Sequence, residues 1–245
     1  MKPTPEIFPD REALSAALAA RVAVLAAEAV SARGRFLLAI PGGSAVSLLA
    51  RGFARAPIDA PAWELFWTDE RGLPRNDPQS NYLLAKSELL PFLRIPDGHL
   101  HPADGSLGPD AGACAYEADL AQAFGIAPGD LPRFDLVLLG IGEDGHVASL
   151  FPSHPALLER RRWVSPVRHA PKPPPDRITL TLPVLRRARH VLVAAAGAGK
   201  ADILARTLSP SGGSPVLPAQ RLHPLDGDLR WMIDRAAAAH LEKSP

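Results

Sequence analysis

The chain has 245 residues, one cysteine, and 27 basic against 26 acidic side chains, for a formal net charge of +1. One cysteine excludes an internal disulfide framework or a cysteine-rich zinc site, and near-neutrality argues against a dedicated nucleic-acid binder, which carries a basic excess. Apolar residues make up 47% of the chain, enough at this length for a sizeable core in one large α/β domain or two small ones.

The first predicted element is a helix. Leu14, Leu18, Val22 and Leu25 recur at spacings of four, four and three, an amphipathic stripe over residues 14–30 that Arg21 and Glu28 interrupt. It does not read as a membrane span, and the start MKPTPEIFPDRE is unlike a basic leader feeding an apolar stretch. A cytoplasmic location with no membrane partner is therefore expected. Residues 36–40 (FLLAI) predict a buried strand that ends in Pro-Gly-Gly-Ser and enters a helix over 44–54. Residues 63–68 (WELFWT) predict a second strand, followed by the polar loop DERGLPRNDPQSN and a helix from Ser80 or Asn81 to residue 90. Residues 134–140 (FDLVLLG) are a nearly unbroken apolar strand ending in the turn GIGEDGH.

Further strands are expected at 163–164, 178–182 and 191–196, then a helix over 199–208. A last strand at 231–233 and an alanine-rich helix close the chain. Residues 166–175, with three consecutive prolines, and residues 209–218 read as surface loops, the first placed to rim the site rather than to divide domains. Short apolar runs alternating with amphipathic helices indicate an α/β fold, a parallel sheet with crossover helices. No repeat or long linker divides the chain, so one domain over residues 1–245 is expected.

Three polar, glycine-bearing loops follow predicted strands, and in an open parallel sheet such loops form the ligand crevice. In Pro41-Gly42-Gly43-Ser44 the glycines allow close backbone approach, and amides opening a helix attract an anion. Ser44 either caps that helix or donates its hydroxyl to a phosphate. In Thr68-Asp69-Glu70-Arg71, with Asn81 ten residues on, the arginine either pairs internally with the acids or forks onto phosphate oxygens. In Gly140–Ser149, His146 suits general-base work, with Asp144 orienting the ring. The alternative is that Asp144 caps a helix and His146 is a structural donor. Gly197-Ala198-Gly199-Lys200 resembles a Walker A ending, but Ala194 and Ala201 stand where glycine and Ser/Thr are needed. Lys200 remains available as a point charge for phosphate.

Taken in series, PGGSAVSLL, TDERGLPRNDPQSN, FDLVLLGIGEDGHVASLFP, RITLTLPVL and GAGKADIL resemble the 6-phosphogluconolactonases of the glucosamine-6-phosphate isomerase/6-phosphogluconolactonase family, over residues 5–238. The resemblance implies a Rossmann-like, doubly wound, mostly parallel sheet flanked by helices, akin to sugar-phosphate deaminases and ribose-5-phosphate isomerase. It implies hydrolysis of 6-phospho-D-glucono-1,5-lactone to 6-phospho-D-gluconate, the second step of the oxidative pentose phosphate pathway. By position, His146 matches the family's catalytic histidine, and Arg71, Arg177 and Lys200 match residues for the substrate phosphate. Gly42, Gly43 and Ser44 match its substrate loop, with Asp69 and Asn81 beside them. No metal or cofactor is expected, because the ring ester is already activated. The expected partner is the small sugar-phosphate lactone, with the chain a monomer or a homodimer.

Three other readings have distinguishable signatures. A deaminase of the related family would carry a glutamate soon after the histidine, where this chain has Ser149-Leu150-Phe151. A sugar-phosphate-binding regulator would commonly carry an added DNA-binding segment. A metallohydrolase would have to assemble His99, His101, His146 and His154, whose spacing fixes no common site. Cys114, among apolar neighbours on a helical stretch, is expected to be packed rather than nucleophilic.

Overall fold

The structure is a computed structural model and describes residues 4–127, 130–209 and 215–241. Its strands, in chain order, are β1 (Glu6–Phe8), β2 (Phe36–Ile40), β3 (Ile58–Asp59), β4 (Trp63–Trp67), β5 (Asp69–Arg71), β6 (Leu93–Arg94), β7 (Leu100–His101), β8 (Leu136–Leu139), β9 (Val164–Val167), β10 (Arg177–Leu180), β11 (His190–Ala195) and β12 (Asp228–Asp234). The helices are α1 (Arg11–Arg33), α2 (Ser44–Arg55), α3 (Asn81–Glu88), α4 (Gly108–Phe124), α5 (Leu182–Arg187) and α6 (Ala201–Leu208).

Seven strands form one sheet in the order β1–β12–β11–β8–β2–β4–β7, and every pairing in it is parallel. Because strand side chains alternate, a sheet covered on both faces needs apolar residues at every position. Phe36, Leu38 and Ile40 accordingly join the core beneath α1, α2 and α3, while Leu37 and Ala39 join the core beneath α4, α5 and α6. From β2 the chain steps outward through β4 to β7; from β8 it steps the other way through β11 to β12. The reversal falls between β2 and β8, the switch point where open α/β sheets bind ligands at their carboxyl edge. The two strands end there in Pro41–Ser44 and in Gly140–His146.

Asp10 starts α1 by accepting from the Ala13 amide at 2.8 Å, and left-handed Gly34 (φ 77°) ends it. On length and hydropathy alone this helix would cross a membrane. In the fold its stripe of Leu14, Leu18 and Val22 is fully buried in the core beneath the sheet. A Cβ on Gly52 of α2 would lie 2.2 Å from the Ser15 carbonyl oxygen, so the two helices meet backbone to side.

Three expectations are corrected. The run at 178–182 is not a strand of the parallel sheet: it is β10, the centre of a separate antiparallel sheet ordered β5–β10–β9. Burial on both faces makes such a strand indistinguishable by periodicity from a parallel one. The polar loop after residue 68 in fact begins with a strand, β5, whose three charged residues carry no apolar signal. The alanine-rich end is a run of turns over residues 235–240, beginning after Asp234, whose carboxylate accepts from the amides of Ala237 and Gly197. Residues 210–214 of the expected 209–218 loop lie outside the described residues.

Candidate active site at the carboxyl edge of the sheet

A cleft of about 260 Å³ opens at the switch point, and nine of the ten expected site residues line it: Gly42, Gly43, Ser44, Asp69, Arg71, Asn81, His146, Arg177 and Lys200. The tenth, Asp144, is bonded to the His146 ring. Sequence reasoning missed Lys172, Glu143 and Gly142, which also line it.

The first wall is the start of α2. Gly43 occupies the cap position at φ 64°, ψ −149°, a conformation essentially confined to glycine, and no side chain caps the helix. Ser44 is the first helical residue and is exposed to the cleft, so of its two readings the cap is set aside. Gly42 is pressed against Asn81, whose Oδ1 would sit 1.9 Å from any Cβ there. Asn81 is itself buried and donates from Nδ2 to the Asp69 carbonyl at 2.8 Å. It holds two loops together as well as lining the cleft.

The second wall comes from the small sheet. In its antiparallel register Arg71 stands directly opposite Arg177, and Asp69 opposite Thr179. Alternation puts Asp69 and Arg71 on one face and Glu70 on the other. Glu70 is 1% exposed, and its carboxylate accepts from the amides of Arg71, Asn81 and Tyr82 and from the Ser80 hydroxyl. Burial pushes its carboxyl up, against the pull of those amides. Arg71 makes no ion pair among the described residues, and its Nε is buried without a partner. The internal-pair reading of Arg71 therefore fails. Like charges directly opposite across strands repel, so Arg71 faces a second cation with its own Nε uncommitted. Asp69 is buried and accepts from the Ser149 hydroxyl at 2.6 Å. Arg177 is buried over the Phe151 ring, and burial lowers its basicity.

The third wall carries the histidine. The His146 Nδ1 lies 2.5 Å from Asp144 Oδ1, and the ring packs on Phe151 at 4.5 Å between centroids. An ionised carboxylate only accepts, so Nδ1 carries the hydrogen of this contact, and in the neutral ring Nε2 is the nitrogen with the lone pair. Burial would raise Asp144, but the His146 hydrogen bond and charge, together with Lys172, outweigh it and hold the carboxyl at about 2. A Cβ on Gly142 would fall 2.1 Å from the imidazole, so only glycine lets the ring sit there. Ala148, also lining the cleft, has φ 50°, a strained conformation for a residue with a Cβ. Behind the turn, Lys200 donates to the Ile141 carbonyl at 2.8 Å; burial lowers its ammonium, and Glu143 and Asp144 pull it back up.

The other three histidines of the metallohydrolase reading are engaged separately. His99 meets the Trp63 carbonyl, His101 lies between Asp119 and Glu64 and stacks on Phe66, and His154 meets the Arg168 carbonyl. Among the described residues no group of three or more His, Cys, Asp or Glu is arranged to hold a metal ion. Cys114 is exposed rather than packed, with the Arg162 guanidinium 3.3 Å from its sulfur; it faces outward from α4.

Comparison with known proteins places this geometry in a family. The profile described as glucosamine-6-phosphate isomerases/6-phosphogluconolactonase matches residues 9–231. The 6-phosphogluconolactonases of Rattus norvegicus and Homo sapiens are each 44% identical over 239 residues, covering 95% of this chain and 91% of theirs. The solved structure of 6-phosphogluconolactonase from Trypanosoma cruzi superposes with a TM-score of 0.82 at 28% identity, over 99% of this chain and 98% of that one. With its parallel sheet and its cleft at the switch point, the chain belongs to the glucosamine-6-phosphate isomerase/6-phosphogluconolactonase family.

Proposed function

We propose that this chain hydrolyses 6-phospho-D-glucono-1,5-lactone to 6-phospho-D-gluconate, with His146 as general base to an attacking water. The observation that supports it most is the Asp144–His146 pair at 2.5 Å, which engages Nδ1 and leaves Nε2 as the ring nitrogen for a base, in a cleft lined by Arg71, Lys172, Arg177 and Lys200. Hydrolysing a ring ester needs a water, a base for its proton and stabilisation of the oxyanion; the ester supplies its own leaving group. Asp144, ionised down to about pH 2, orients the ring and balances the imidazolium as it forms. Arg71, with an uncommitted buried Nε, and Lys200 suit the phosphate, and the open amides of Gly42–Ser44 offer further anion donors. Binding energy from that remote group orients the reacting carbonyl, where effective molarity counts most. The protein would act on a small soluble metabolite in the cytoplasm, as a monomer or homodimer.

A deaminase of the same fold would need an acid near the histidine on its Nε2 side; residues 149–151 supply Ser, Leu and Phe instead, and Ser149 is bonded to Asp69. The test is lactone lifetime. Fresh lactone generated by a glucose-6-phosphate dehydrogenase reaction should disappear faster with the protein than by spontaneous hydrolysis, and glucosamine 6-phosphate should release no ammonia. An unchanged lifetime would defeat the proposal.

A further inference from the structure

Arg177 has five N–H groups, and most are spent on the backbone of one loop. Its Nε donates to the Pro174 carbonyl, and its Nη2 donates to the carbonyls of Lys172 and Pro173, all at 3.1 Å. Nη1 lies 3.4 Å from the Ser149 hydroxyl, and Phe151 covers the face of the group. A guanidinium whose Nε and Nη2 edge is filled by three consecutive carbonyls has no fork left to grip a phosphate bidentately. It is a clamp that fixes residues 172–174 against β10.

The clamp presents Lys172 to the cleft. The side chain lines the cavity and is 40% exposed, and its Nζ stands 3.9 Å from Asp144 Oδ1, the same oxygen that receives His146 Nδ1. At that distance the ammonium is not hydrogen-bonded to the carboxylate. Lys200, by contrast, already spends one of its three N–H groups on the Ile141 carbonyl. The charged groups around Lys172 are Asp144, Lys200 and, across the Asp144 carboxylate, His146. Lys172, on a flexible stem and with no hydrogen bond from its ammonium among the described residues, therefore stands beside the Asp144–His146 pair.

We propose that Lys172 is a catalytic residue, donating to the lactone carbonyl oxygen as it becomes an oxyanion, and that Arg177 is the positioning residue that holds Lys172 there. This rests on the lactonase reading above. The water oxygen bonds to the carbonyl carbon while its proton passes to His146 Nε2, and the carbonyl π pair moves onto the oxygen that Lys172 hydrogen-bonds. On collapse the C=O bond reforms, the ring C–O bond breaks, and His146 returns its proton to the ring oxygen. Lys172 stays protonated throughout.

The test is steady-state kinetics on fresh phosphorylated lactone for wild type, Lys172→Met, Lys172→Arg, Arg177→Lys and the Lys172→Met/Arg177→Lys pair, with thermal melts to verify folding. Loss of one oxyanion donor predicts a kcat lowered about 10²–10³-fold in Lys172→Met, with KM within about threefold. Lys172→Arg should retain more of kcat than Lys172→Met, and Arg177→Lys should add little to the loss in the double variant. A raised KM with unchanged kcat in Lys172→Met would make Lys172 a phosphate ligand and overturn the proposal. So would equal losses in Lys172→Met and Lys172→Arg, or additive losses in the double variant. Wild type that fails to shorten lactone lifetime defeats the lactonase reading itself; wild type that succeeds beside a fully active Lys172→Met defeats only this inference.

Discussion

His146 is useful as a base because three neighbours constrain it at once: Asp144 fixes its tautomer, Phe151 supports its face, and Gly142 leaves room for its ring. Gly142→Ala should therefore cost activity out of proportion to its size. A Cβ 2.1 Å from the imidazole must push the ring aside, and an ångström of misplacement is worth about 100-fold in rate. Kinetics paired with thermal melts would check this, with kcat falling well before Tm does. Asp144 has a depressed folded value, so its contact with His146 is present above the ordinary 3.8 and is lost only as pH falls through about 2. Acid loss of activity between pH 7 and 4 therefore cannot come from Asp144. In Asp144→Asn the pH–rate profile should keep that acid limb under a lowered ceiling; a limb that vanishes would assign it to the aspartate after all. At this scale the sequence was most legible where a residue type is rare in its setting: a histidine in a glycine turn and an arginine after a strand. Lys172 was not legible, because its role depends on the carbonyls that Arg177 gathers, and no local pattern encodes that.

At the scale of elements, the site is made by register. Pairing β5 with β10 sets Arg71 opposite Arg177, and alternation sends Glu70 to the far side to tie β5 to the start of α3. Glu70→Gln would turn an amide N–H toward donors that need an acceptor. It should destabilise the chain by about 1–3 kcal/mol, measured by urea denaturation, and loosen Arg71 and Asn81 together. The same reasoning applies beneath the sheet, where Gly52→Val should cost about 1–3 kcal/mol by overpacking the α1–α2 contact. A negligible change in the urea midpoint would contradict the close packing of α2 on α1. The strands of the central sheet were readable from the sequence because doubly covered strands are continuous apolar runs. The sheet to which β10 belongs was not, since RITL is as apolar as a parallel strand and its partner DER looks like a loop. The final turns over 235–240 were misread because alanine favours helix locally, while the structure shows turns there after Asp234.

For the whole molecule, near-neutral charge and a cationic cleft are compatible because only four of the 27 Lys and Arg residues need to line it. Arg71, Arg177, Lys172 and Lys200 line a single cavity while the chain carries a net charge of only +1. An anion that fills the cleft should relieve their mutual repulsion and stabilise the fold. At 100 times its Kd, 6-phosphogluconate should add about 2.7 kcal/mol, or about 5–10 °C in Tm for a chain of this size. Arg71→Ala should abolish most of that shift at the same ligand concentration; an unchanged shift would remove Arg71 from the anion site. The most direct test of the account compares wild type with His146→Ala on freshly generated 6-phosphogluconolactone, with spontaneous hydrolysis subtracted. Wild type should accelerate hydrolysis and His146→Ala should lose about 10²–10⁴-fold in kcat, whereas near-wild-type turnover in the variant would contradict the assignment of His146 as the base.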